Sequence, residues 1–192
     1  MEVKKSIALE IFKDISFSKK EIDFINSKFK KMQLKKGETL LTPDTFANNQ
    51  YYVFSGCLRS YFVNTAGKYH TNQFAIKDLW ISDYTAFFTS EKAIMNIECL
   101  QDATVYKLSR KDMNHLCEQM PKVEIFFRKK MEKAFASFQK RILEYLSQPA
   151  KERYLKFITS YPEIVKSIKN YHIASYLGIT TESLSRIRKS TY

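Results

Sequence analysis

The chain is 192 residues long, with 32 Lys and Arg against 20 Asp and Glu and a formal net charge of +12. That length holds one medium domain and a small one. No apolar run approaches a membrane span, and Cys57, Cys99 and Cys117 are too few and too scattered for a disulfide framework or a close-spaced zinc or iron–sulfur cluster. A basic excess of this size points to a polyanionic partner, and it is concentrated: residues 121–192 carry +9 of the +12.

The first residues, M-E-V-K-K-S-I-A-L-E, lack the apolar core of a signal peptide, so a cytoplasmic protein with reduced thiols is expected. Residues 1 to about 32 read as helical, with Ile7, Ile11, Ile22, Ile25 and Phe29 set among charged residues. Ser18 followed by Glu21 forms a capping-box pattern and predicts a helix from about Lys19 to Lys31. From about Leu34 to Leu108 the period shortens, and β-branched and aromatic runs alternate with turn signals, as in an antiparallel roll. Predicted strands are Thr39 to Leu41, Tyr51 to Phe54, Cys57 to Val63, Tyr69 to Ala75, Ile97 to Leu100 and Thr104 to Ser109. Pro43-Asp44 and Ser55-Gly56 read as turns, and Asn64 to Gly67 closes a hairpin. Ser109 is placed to cap a helix running to about Cys117.

Pro121 suits the first turn of a long helix reaching about Leu146. Phe127, Met131, Ala134, Phe138, Arg141 and Tyr145 follow at alternating spacings of 4 and 3, a seam suited to a partner helix and hence to a homodimer. A second apolar set, Ile125, Phe126, Phe135 and Ile142, is expected to pack on the roll. Ser147-Gln148-Pro149-Ala150 breaks the helix and is the hinge candidate, followed by a short helix over Lys151 to Ser160. The pattern therefore divides the chain into a sensor region 1–120, a dimerisation helix 121–146 and a C-terminal region 147–192.

That last region contains Y-H-I-A-S-Y-L-G-I-T-T-E-S-L-S-R-I-R-K, Tyr171 to Lys189. Ile173, Ala174 and Leu177 give a first helix one small and apolar face. Gly178 sits where the chain must turn, and Thr180 is placed to cap a second helix. Leu184 and Ile187 face back toward the first helix, leaving an outer polar and basic face. This is the layout of a helix-turn-helix that enters the major groove of double-stranded DNA. Thr181, Glu182, Ser185 and Arg186 are the candidate base contacts: Arg186 to guanine, Glu182 to a cytosine amino group. Tyr171, Ser175, Thr180, Arg188 and Lys189 are the candidate phosphate contacts, and His172 is a further one. A two-fold dimer would place two such helices about 34 Å apart on an inverted repeat.

A β-roll, a long helix and a C-terminal helix-turn-helix together resemble the Crp/Fnr family of bacterial transcription regulators. The resemblance is carried by Y-Y-V-F-S-G-C-L-R-S-Y-F-V-N-T-A-G-K (Tyr51 to Lys68), L-W-I-S-D-Y-T-A-F-F (Leu79 to Phe88) and the C-terminal motif. It implies an α+β protein: an N-terminal antiparallel β-roll of the cyclic-nucleotide-binding, jelly-roll type, a long dimerisation helix and a helix-turn-helix domain. The sequence stops three residues after Lys189, so the β-wing of many relatives is expected to be absent or truncated. The resemblance also makes RNA polymerase a candidate partner.

In nucleotide-binding relatives a Gly-Glu-Leu-type turn holds the ribose and an Arg-Ser or Arg-Thr pair holds the cyclic phosphate. Here the turn reads Ser82-Asp83-Tyr84, and the phosphate stretch, Glu91 to Asn96, has no Arg. Lys92 does not reproduce the bidentate fork that Arg supplies. Trp80, Ser82, Asp83 and Tyr84 remain as the candidate effector pocket, with an effector other than cyclic AMP or cyclic GMP. No cofactor or metal is expected: no cysteine precedes Cys57, and His70, His115 and His172 form no His-x-His. Nucleophile-elbow, P-loop and HExxH motifs are missing as well, which argues against an enzyme. The rival reading is a ligand-sensing dimer whose DNA reader is vestigial and whose output is a protein contact. Salt-dependent, sequence-selective binding would separate the two.

Overall fold

The computed structural model describes residues 6–191. They fall into two compact units: the chain up to Ser60 together with Phe74–Lys130, and Tyr61–Gln73 together with the chain from Met131 onward.

The first unit opens with helices α1 (Ile7–Ile11) and α2 (Lys19–Lys28). The capping box of α2 is complete: Glu21 N–H donates to Ser18 Oγ, and Ser18 N–H donates to the Glu21 carboxylate at 2.7 Å. A hydrogen bond from Lys122 and these Ser18 contacts hold the Glu21 carboxyl down to about 2. The helix stops three residues short of the expected Lys31, because Lys30 to Leu34 is taken up as strand β1 (Lys30–Leu34). It runs antiparallel to the strand over Ala103 to Lys107. Pairing with a distant strand overrode the local helical signal. Strand β2 (Thr39–Leu41) lies where expected, and Asp44 takes the positive φ of a turn.

Strand β3 (Asn49–Val63) is one element of 15 residues, not two strands about a turn. Gly56 keeps φ +88° inside it. A Cβ there would lie 2.4 Å from Asp102 O and 2.6 Å from Ala103, so the glycine marks a close crossing of neighbouring backbones and not a reversal. Strand β4 (Tyr69–Ala75) returns from the predicted hairpin, and Asn64 Oδ1 accepts the Ala66 and Lys68 amides to shape the turn. After strand β5 (Trp80–Ile81) and helix α3 (Tyr84–Thr89), strand β6 (Asn96–Ser109) is again continuous where two strands were expected. The sheet order is β1-β6-β3-β4, with β2 on β6 and β5 on β3. Ser109 Oγ caps helix α4 (Arg110–Gln119) by accepting the Asp112 amide.

Two large apolar clusters and a smaller one lie in this unit. One, with Val53, Leu58, Ile81, Ile97, Cys99 and Val105, lies among the strands. The other large cluster joins Ile7, Phe12 and Ile25 to Tyr52, Trp80, Leu116, Val123 and Phe127. Each fully buried side chain of this kind contributes about 1.5–3 kcal/mol.

Helix α5 (Pro121–Ser147) runs the expected course. Pro149 then begins helix α6 (Ala150–Ser160), and Pro162 opens helix α7 (Pro162–Ser167), a turn of helix the sequence reading took as a connection. Helices α8 (Asn170–Leu177) and α9 (Thr181–Lys189) complete the second unit. No helix among the described residues is long and apolar enough to cross a membrane.

Candidate nucleic-acid interface and effector region

The α8–α9 pair is built as its spacing requires. Ile173, Ala174, Leu177 and Leu184 are buried, and His172 joins them, so it does not face outward as a phosphate contact would. Gly178 adopts φ +70° and closes α8, and a Cβ there would meet the Tyr145 ring at 2.6 Å. Thr180 Oγ1 accepts the Ser183 amide at 3.2 Å and starts α9. Thr181, Glu182, Ser185, Arg186 and Lys189 are all exposed along α9, while Ile187 is half-buried against the pair. Hydrogen bonds from its own backbone N–H and from the Thr180 and Thr181 hydroxyls hold the Glu182 carboxyl below the usual carboxylate range. It is therefore an ionised acceptor at neutral pH. Tyr171 is exposed beside Lys169, and half-buried Arg188 donates to Asn170 Oδ1 at 2.6 Å, bracing α9 on α8.

Ser175, a candidate phosphate contact, has its hydroxyl engaged within the chain. Its hydroxyl donates to Tyr69 O at 2.8 Å and accepts from Thr71 N at 2.9 Å and Thr71 Oγ1 at 3.2 Å. One donor and two lone pairs are all a hydroxyl has, so these three bonds engage all of them.

The α5 seam is also redistributed. Phe127 is buried in the first unit against Phe12 and Trp80. Arg141 donates to Asn72 O and Oδ1 and lies over the Phe138 and Tyr176 rings. Tyr145 covers the Gly178 turn and lies under Arg153, while Met131, Ala134 and Phe138 are half-buried. The exposed apolar side chains of α5 are Ile125, Phe135, Ile142, Leu143, Tyr145 and Leu146, with Phe135 72% and Leu146 74% accessible. Phe127, Arg141 and Tyr145 of the face assigned to a partner thus make contacts within the chain, and most of the set assigned to the roll is bare. A 3–4 spacing identifies a stripe but not its neighbour, and here both stripes satisfy it.

The four residues expected to line an effector pocket turn their polar atoms into the protein. Trp80 is packed among Phe29, Tyr52 and Phe127. Ser82 Oγ donates to Asn49 O, and Tyr84 Oη donates to Gln50 Oε1, with burial raising the Tyr84 phenol above its ordinary range. Asp83 is fully buried. One carboxylate oxygen caps α3 by accepting the Ala86 amide, and the other accepts the Ile94 and Met95 amides at 2.8 and 3.0 Å. The carboxylate kept from the ribose-binding pattern is therefore a staple between a helix start and the following loop. Ala93 is buried in a small cluster with Ala47 and Ala86, and Lys92 is exposed.

Sequence reasoning missed a cavity of about 270 Å³ in the second unit, lined by Arg141, Tyr145, Arg153, Phe157, Tyr161 and Tyr176 among others. Arg153 there donates to Gln148 O and Leu177 O, tying α6 to the end of α8. No local pattern signals such a contact, because its partners are carbonyls 5 and 24 positions away.

Residues 31–120 match the cyclic nucleotide-binding domain family. No curated protein matches the sequence. Among solved structures, FixK2 from Bradyrhizobium japonicum is similar at 18% identity over 84% of this chain and 83% of its own, with a TM-score of 0.73. CLP from Xanthomonas campestris, a regulator responsive to cyclic di-GMP, superposes with a TM-score of 0.72 at 10% identity over 91% of both chains. A Crp/Fnr-family protein from Eubacterium rectale does so with a TM-score of 0.68 at 16% identity, over 91% of this chain and 83% of its own.

Proposed function

We infer, for a chain that carries a cyclic nucleotide-binding domain and has the fold of the Crp/Fnr regulators, a DNA-binding transcription regulator that acts as a homodimer on an inverted repeat. The observation that carries this reading is α9. One side of it is buried through Leu184, and Thr181, Glu182, Ser185, Arg186 and Lys189 are left exposed on the other, beyond a left-handed Gly178 turn. Arg186 reads guanine O6 and N7, Glu182 accepts from cytosine, and Thr181 and Ser185 contribute weaker base contacts. Tyr171, Thr180, Arg188 and Lys189 fix register on phosphates. No catalytic step is assigned. Replacing Arg186 by Ala should cost about 1–3 kcal/mol on the specific site and relax one base position. A randomised-site selection checks it, and an unchanged sequence preference would remove the assignment.

The dimer face we assign is the bare stripe Phe135, Ile142, Leu143 and Leu146, whose exposure is best relieved against its symmetry mate. Phe135→Glu should raise the dimer dissociation constant on the order of a hundredfold by sedimentation. A variant that stays dimeric at wild-type concentration would place the contact elsewhere. The effector, where one acts, is a small molecule other than cyclic AMP or cyclic GMP. Supporting this, Ala93 lies in the stretch where a phosphate-binding Arg would be, and Asp83 is committed to backbone amides.

A further inference from the structure

The hairpin over residues 61–73 belongs to the second unit, although its strands continue those of the roll. Two sets of hydrogen bonds fix it there, and they come from three residues of β4, Tyr69, Thr71 and Asn72. Tyr69 and Thr71 engage all three hydrogen-bonding capacities of the Ser175 hydroxyl on α8. Asn72 accepts twice from the Arg141 guanidinium on α5, through its carbonyl and its side-chain oxygen. That guanidinium is held in turn between the Phe138 and Tyr176 rings, so it bridges α5 and α8 as well as binding β4. A reader helix and a dimerisation helix are thus pinned to one stretch, Tyr69 to Asn72, and the base-reading face of α9 stays uncovered.

We propose that Ser175, Thr71, Asn72 and Arg141 are positioning residues for DNA recognition. They form a joint that sets the angle between the reader and α5, and through α5 the separation of the two readers in a dimer. The proposal rests on the DNA-binding reading above and assigns Ser175 to orientation instead of phosphate binding. A dimer gains its affinity for an inverted repeat from two simultaneous half-site contacts, and that gain disappears when geometry forbids the second contact. A single half-site has no such requirement.

The test compares Ser175→Ala, Ser175→Thr, Arg141→Gln and wild type on the full inverted repeat and on one isolated half-site. Amide exchange at Thr71 is followed in the free proteins. Ser175→Ala and Arg141→Gln should each lose on the order of tenfold on the full repeat and stay within about twofold on the half-site. Ser175→Thr, which keeps the hydroxyl, should restore full-repeat binding. Thr71 amide exchange should accelerate in Ser175→Ala only. Equal losses on both DNAs would overturn the proposal and return Ser175 to the phosphate contacts. Unchanged Thr71 exchange would show that the joint does not hold in solution. Wild-type protein that binds no repeat selectively would overturn the DNA reading itself, and with it the joint's role in recognition, while the exchange data still report whether the joint exists.

Discussion

Replacing Gly56 by Ala should destabilise the N-terminal roll by about 3–6 kcal/mol, enough to consume much of the stability of a domain this size. Two costs combine. An L-residue at φ +88° is strained by itself. The new methyl would also sit 2.4 Å from Asp102 O and 2.6 Å from Ala103, which are backbone and Cβ atoms of the neighbouring strand β6 and cannot rotate away. Gly67→Ala is the internal control. Gly67 has φ +74° but nothing within 4 Å of a built Cβ, so that change should cost only about 1–2 kcal/mol. Urea unfolding of the two variants isolates the steric part. Midpoints that fall together would mean that β3 and β6 can separate at little cost.

The second large effect is expected at Asp83. Three backbone amides share its two carboxylate oxygens in a fully buried position. Asp83→Ala leaves α3 uncapped and the Ile94 and Met95 amides without their acceptor, for a loss of about 2–5 kcal/mol. At this chain length that lowers the thermal midpoint by roughly 4–20 °C. Asp83→Asn should fall between, since a side-chain amide offers one acceptor oxygen where the carboxylate offers two. Faster amide exchange at Ile94 and Met95 would accompany both. A midpoint within about 1 °C of wild type for Asp83→Ala would show that water substitutes for the carboxylate and that the staple is dispensable.

Features governed by neighbours in sequence were legible from the letters alone. Ser18 with Glu21, Ser109 ahead of α4, Asn64 at the hairpin, Gly178 and Thr180 in the reader each act within four residues, and each is found in its expected role. What escaped depended on partners far along the chain. Lys30 became strand because Lys107 pairs with it, and Gly56 ceased to be a turn because Asp102 and Ala103 press against it. The two α5 stripes are both present, but their neighbours are not legible, since periodicity describes one helix and says nothing of what lies on either side. The reader shows the same division. Its exposed face follows from helical spacing, whereas the Ser175 contacts are not legible because their partners are 104 and 106 positions away.

Those long separations bear on how the molecule is made. The hairpin leaves the ribosome about 100 residues ahead of α8, which at usual translation speeds is an interval of about 5–20 s. Asn72 meets Arg141 of α5 first, 69 positions on, whereas the Tyr69 and Thr71 contacts to Ser175 wait until α8 follows. A fragment that starts at Met131 would carry α8 and Arg141 without the strand that meets them. Moving the C-terminal helices onto a different N-terminal roll would therefore mean transplanting residues 61–73 with them, as two separate pieces of sequence that fold as one.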